Sequence, residues 1–221
     1  MSDETDDRRP SSTGYFISPT DSPGPGVLLL HSFWGFDRGM KDTANRLADA
    51  GFTVLAPDLA DGETFTDHEQ ALEALGDADM NHVASLVQSS VGVLRRAQAD
   101  PTRPIGVVGF GAGASWALWL SARLPDDILA VATYYGSQSI EMTPSRSTYL
   151  CHWAERDRHI DDLEMADLGL RLQMAGRPFR FEHHDGTNDG FAEPGRPEFS
   201  GEADVVAWRQ TTEFLAGALR P

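Results

Sequence analysis

The sequence predicts a doubly wound α/β fold, a mostly parallel sheet with helices on both faces. Three observations predict it. Short apolar runs alternate with segments of helical spacing along nearly the whole chain, as in successive βα units. "GVLLLHS" opens as a strand buried on both faces, apolar at every position instead of alternating. "VVGFGAGAS", Val107 to Ser115, reads as a buried strand that runs into a tight glycine turn and then a helix. At 221 residues with 40% hydrophobic content, the chain suits one such domain with a sizeable core.

The elements follow in order. "MSDETDDRRPSSTG", residues 1–14, is polar and acidic and is expected to be a disordered tail; it has no apolar stretch of the secretory type. Residues 15–221 are expected to form a single domain. After "GVLLLHS", the segment "RGMKDTANRLADAG" carries apolar residues at helical spacing, with Gly51 as its stop. "FTVLAP" is the next strand. In the acidic stretch that follows, Thr66 and Glu69 form an expected capping box for a short helix. "HVASLVQSSVGVLRRAQAD" is a long amphipathic helix, and "PIGVVGF" is the strand entering the glycine turn. "GASWALWLSARL" is apolar nearly all round and reads as a buried helix. "LAVATYYG" and "TYLCHWAE" are strands, "DDLEMADLGLRLQMAG" a helix, "PFRFEHHDG" the last strand, and "EADVVAWRQTTEFLAGAL" the closing helix. Ligands of such a sheet bind at the carboxyl ends of its strands.

The net charge of −16 disfavours nucleic acid and anionic membrane surfaces as partners. A small-molecule substrate or ligand is expected, and a homodimer stays open. Cys151 is the only cysteine, so no intrachain disulfide forms, and a soluble cytoplasmic protein is expected. No cofactor is expected. His183 and His184 are adjacent on a strand and point to opposite faces, so they do not share one ion, and no metal site is expected.

Four segments in order carry a family resemblance: "HSFWGFDRGMKDTANRLADAGFTVLAPDL", "GFGAG", "HWAERDRHI" and "HDGTNDGFAEP". Together they resemble the dienelactone hydrolase family of α/β-hydrolases over nearly the whole chain after the tail. The resemblance implies a nucleophile elbow, small-x-nucleophile-x-small, with Gly109 and Gly113 as the small flanks. It places the triad acid on Asp157. It also places the family's nucleophile on Gly111, its histidine on Asp189, the glutamate that many members set beside the nucleophile on Ser32, and a substrate-binding arginine near Glu193. The fold and pocket position are therefore implied, and the covalent mechanism is not.

Glycine at 111 cannot attack a carbonyl, because an acyl-enzyme needs a side-chain nucleophile beside a base. A frame-shifted elbow would use Ser115, although that hydroxyl lies about a turn into the helix, where it bonds a backbone carbonyl. The oxyanion hole is made of backbone, and the resemblance places it on the N–H groups of Phe33 and Ala112, with the helix N-terminus behind Ala112 adding its dipole. Asp157 and Asp189 are the expected acid–base pair, since two carboxylates in one pocket push one pKa upward. The plainer alternative makes Asp157 a loop cap and Asp189 a turn residue. His184 is a further expected proton carrier; His152 and His159 have weaker claims. Ser32, Trp34, Tyr135, Trp153 and Phe191 are expected to line an apolar pocket.

Three readings follow. The first is an enzyme acting on a small, largely apolar carbonyl compound by acid–base and oxyanion-hole catalysis without a covalent nucleophile, in a cyclisation, isomerisation, elimination or water-mediated hydrolysis. The second is a non-catalytic binding or partner protein on the same fold. The third is an esterase using Ser115.

Overall fold

A computed structural model describes residues 14–220; all but the last residue of the expected tail lies outside them. The elements in chain order are β1 (Tyr15–Ile17), β2 (Gly26–Leu30), α1 (Arg38–Asp49), β3 (Thr53–Ala56), α2 (His68–Asp77), α3 (Met80–Ala97), β4 (Ile105–Phe110), α4 (Ala112–Arg123), β5 (Ile128–Tyr134), β6 (Thr148–Arg156), α5 (Asp162–Met174), β7 (Phe179–Asn188) and α6 (Gly201–Leu219). They build a seven-stranded sheet in the order β1-β3-β2-β4-β5-β6-β7. β1 pairs antiparallel with β3, and every other pairing is parallel. This is the doubly wound sheet the alternation predicts. The three-residue edge strand β1 has too little pattern to be read from sequence.

The continuous apolar runs become the central strands. All five residues of β2 and all six of β4 are buried. Fully burying a leucine side chain is worth roughly 1.5–3 kcal/mol, so the run Leu28 to Leu30 is a large local contribution. One face of the sheet packs against α1 and α6 through Met40, Leu47, Ala207 and Leu215. The other packs against α3, α4 and α5 through Val87, Leu94, Leu118 and Leu168.

Aspartates start most of the helices. Asp37 accepts from Met40 N–H, and Asp161 forms a full capping box with Glu164. The capping box expected at Thr66 and Glu69 is displaced: Asp67 caps α2 and accepts from Gln70 N–H. α3 begins at Met80 under Asp79, two residues before the expected start. In α2 only Ala71 is buried, so this helix lies on the domain more as a cover than as a wall. No helix among the described residues is long and apolar enough to cross a membrane.

Candidate active site

The turn between β4 and α4 has the strained geometry of an elbow. Gly111 sits at φ 50° and ψ −116° as the N-cap of α4, a region that essentially only glycine occupies without strain. The flanking glycines are required by close approach: a Cβ on Gly109 would lie 2.4 Å from Gly113 O, and one on Gly113 would lie 2.3 Å from Leu30 O. A Cβ at Gly111 would meet only Ser32, at 3.3 Å. The elbow is therefore centred on Gly111. Ser115 is inside α4, and its hydroxyl donates to Ser137 O at 2.6 Å.

Ala112 is the first residue of α4, so its N–H has no acceptor within the helix. The peptide that carries Phe33 N–H is held by His31. Leu59 N–H donates to His31 Nε2 at 2.8 Å, which leaves the proton on Nδ1, and Nδ1 donates to Ser32 O at 2.7 Å. In a trans peptide the C=O and N–H point in opposite directions. Phe33 N–H is thus aimed away from His31. Phe33 and Ala112 line one cleft of about 540 Å³, together with Gly111.

Ser32, Gly111 and Tyr135 follow three adjacent strands, β2, β4 and β5. Across them stands Glu193. Ser32 Oγ donates to its Oε2 at 2.6 Å, and the Tyr135 hydroxyl donates to its Oε1 at 3.1 Å. Glu193 is buried, and burial pushes its carboxyl from the usual range up to about 7, against the pull of Ser32, the Arg196 charge and Tyr135. Burial, with the facing Glu193 charge, holds the Tyr135 phenol protonated and well above its ordinary value. The Glu193 turn is strapped down by Arg196, which donates to Phe65 O at 3.0 Å, pairs with Asp37 and lies 4.6 Å from the Trp34 ring centroid.

The two expected acid–base aspartates are placed differently. Asp189 reaches the cleft, but its carboxylate is gripped by Arg158 through Nε at 3.1 and 3.2 Å and Nη2 at 3.0 Å. That fork occupies both carboxylate oxygens with charge-assisted hydrogen bonds. Asp157 lies with Asp189, Arg158 and Asp161 around a depression next to the cleft, and its Oδ1 caps the loop by accepting from His159 and Ile160 N–H at 2.8 and 3.0 Å. Its Oδ2 is buried without a partner, and burial, then the Asp189 charge, raises its pKa.

His184 stands elsewhere. It faces away from the cleft into a buried chain: its Nε2 meets His152 Nδ1 at 3.1 Å, His152 Nε2 meets Thr211 Oγ1 at 2.9 Å, and Thr211 meets the Tyr134 hydroxyl at 2.7 Å. Burial lowers the pKa of both histidines. Two of the expected lining aromatics are core residues. Trp153 packs edge-on against Phe181 beneath α5, and Phe191 is fully buried behind Tyr135. Ser32, Trp34 and Tyr135 do line the cleft.

Sequence reasoning missed several lining groups. Glu193 entered only as the neighbourhood of a missing arginine. Trp116 and Trp119, three apart on the outer side of α4, form an apolar wall with Leu72 of α2; that i, i+3 spacing was the available signal. At the rim, His159 and His68 stack with Nε2 atoms 3.3 Å apart, and both rings stand edge-on to Phe33. Among the described residues no three His, Cys, Asp or Glu side chains are arranged to hold a metal ion.

The family model for the dienelactone hydrolase family matches residues 13–219. The chain is 24% identical over 212 residues to Protein usf of Aquifex pyrophilus, covering 91% of each. It is 23% identical over 217 residues to a putative carboxymethylenebutenolidase of Aquifex aeolicus, covering 94% of each. The solved structure of a putative dienelactone hydrolase from Klebsiella pneumoniae superposes with a TM-score of 0.80 at 18% identity, covering 92% of each chain, a likeness of fold.

Proposed function

The chain belongs to the dienelactone hydrolase family, and from that premise we propose that it hydrolyses a small, uncharged, largely apolar ester or lactone by direct attack of water, without a covalent intermediate. The observation that carries this reading is the buried Glu193 carboxyl, tied to Ser32 and Tyr135 beside a side-chain-free elbow. Phe33 and Ala112 N–H groups receive the carbonyl oxygen, which places the carbonyl carbon in front of Gly111. A water there attacks that carbon. Glu193, close to half-ionised near neutrality, takes the water's proton directly or through the Ser32 hydroxyl. The tetrahedral oxyanion is held by the two N–H groups, and its collapse breaks the bond to the leaving oxygen.

Magnitudes support the division of labour. A single oxyanion-hole donor is worth about 10²–10³ in rate, and a general base about 10²–10⁴. The apolar wall of Phe33, Leu72, Trp116 and Trp119 favours an apolar acyl or ring group. Glu193 and Asp189, the carboxyl groups of the cleft, disfavour the carboxylate-bearing substrate that the name carboxymethylenebutenolidase, carried by a relative, implies.

The test is a panel of uncharged lactones and esters followed with the wild type and Glu193→Gln. Turnover that falls on the order of 10²–10⁴-fold in the variant, with ligand affinity kept, supports the reading. A wild type that binds panel members and turns over none gives the fold to a binding role instead. A phosphonate adduct on Ser115 or Ser32, found by peptide mass spectrometry, would replace water attack with a serine nucleophile.

A further inference from the structure

We infer that His159 is the acid that protonates the leaving oxygen, an inference that rests on the hydrolytic reading above. Water attack needs two proton transfers at opposite ends of the substrate. Glu193 serves the water at the elbow. The leaving oxygen departs away from the elbow, and a group at the rim must meet it unless it is a stable anion.

His159 has the position and the surroundings for this. It follows β6 and lines the same cleft as Gly111, Ala112 and Glu193. Its side chain is 32% exposed, so it exchanges protons with solvent between turnovers. Its backbone N–H is anchored by Asp157 Oδ1 at 2.8 Å, which gives the half-buried Asp157 a positioning role. Its ring stands edge-on to Phe33 at 5.5 Å, next to the residue whose N–H receives the carbonyl oxygen. Two groups flank the ring. Asp189 Oδ2 is 3.9 Å from His159 Nε2 and pairs with Arg158, which is shared with Glu198. His68 Nε2, on the covering helix α2, is 3.3 Å away, within hydrogen-bond reach of the same ring.

The step balances. Water adds to the carbonyl carbon and gives one proton to Glu193. The bond from that carbon to the leaving oxygen breaks with its electron pair on oxygen, and the oxygen takes one proton from imidazolium His159. Glu193 loses its proton to solvent and His159 regains one. The net change is one ester and one water to one acid and one alcohol; for a lactone both stay in one molecule.

The experiment uses two uncharged esters of the same apolar acid, one releasing p-nitrophenol and one releasing a primary alcohol. Nitrophenolate leaves without a proton and the alkoxide does not. His159→Gln should lose on the order of 10²-fold in kcat/KM on the alkyl ester and stay within about threefold on the nitrophenyl ester. His159→Gly should show the same selectivity, with added imidazole restoring the alkyl ester alone. Equal losses on both esters, or no loss on either, would overturn the proposal. Glu193→Gln should slow both esters. If it does and His159→Gln shows no selectivity, the hydrolytic reading stands and the acid falls. If Glu193→Gln changes neither rate while His159 behaves as expected, the acid stands and the base assignment falls. A wild type that hydrolyses neither ester overturns both.

Discussion

The hydroxyl of Ser32 donates to the carboxyl of Glu193 across 2.6 Å, joining the end of the first parallel strand to the loop after the last. The two residues are 161 positions apart. The bond puts a titratable group beside the elbow from a part of the chain where the family resemblance expects an arginine.

Glu193 should make stability fall as pH rises. Its folded value is raised from 4.5 to about 7. Between those values the native chain holds a proton that the unfolded chain has lost, so the contribution is full below about 4.5 and is gone once pH passes about 7. The window is worth about 3 kcal/mol at most. Urea unfolding of Glu193→Gln at pH 4.5, 6 and 8 should show this dependence removed. A variant with the wild-type pH dependence would contradict the burial argument.

His152 and His184 should act in the opposite direction. Their folded values are depressed by burial, so their contribution is full above the ordinary value of about 6.5 and is lost as pH falls through the folded values. In the wild type the two trends oppose each other around pH 5–6.5. In Glu193→Gln the histidine trend should gain weight, with stability depending more positively on pH through this range than in the wild type. Histidine signals in NMR that titrate normally for both rings would refute it.

Gly111→Ala should cost about 1–3 kcal/mol, because a Cβ is forced into a positive-φ conformation. The added methyl also meets Ser32 Cβ at 3.3 Å. Activity should fall with it, since Ser32 carries Glu193. Thermal melts and the uncharged-ester assay read the two effects separately.

Asp189→Asn and Arg158→Gln should be strongly non-additive. The guanidinium fork on Asp189 is the main partner of each, and Arg158 is partly exposed, so a coupling of about 0.5–1.5 kcal/mol is expected once solvent screening is allowed for. A double-mutant cycle by urea unfolding checks it. Additive losses would mean that the pair is incidental to stability.

The fold was legible because its signals are local. Apolar runs, helical spacing and glycine punctuation all report on their own neighbourhood, and the strands around Leu29 and Val108 follow from them directly. The elbow was legible for the same reason, as Gly109, Gly111 and Gly113 sit within five residues. The site was legible only in part. Which face His184 presents depends on the register of β7 against β6, and the sequence around it reads equally well either way. Glu193 lies in "AEPGR", a segment with turn composition, and nothing nearby announces that its partners are Ser32 and Tyr135. Asp157 followed the plainer loop-cap reading, because its i+2 and i+3 N–H groups were the nearest donors.

Arg196 touches three segments that are remote in the chain: Trp34 with Asp37, the carbonyl of Phe65, and its own turn that carries Glu193. On a ribosome these arrive at different times. Strands β2 to β5 are synthesised well before residue 193, so the elbow is made long before the Glu193 carboxyl that stands across from it. That carboxyl reaches Ser32 and Tyr135 only with the last fifth of the polypeptide, when the arginine clamps its turn against the start of α1. A form ending before β7 would lack the carboxyl, its clamp and the α6 side of the core.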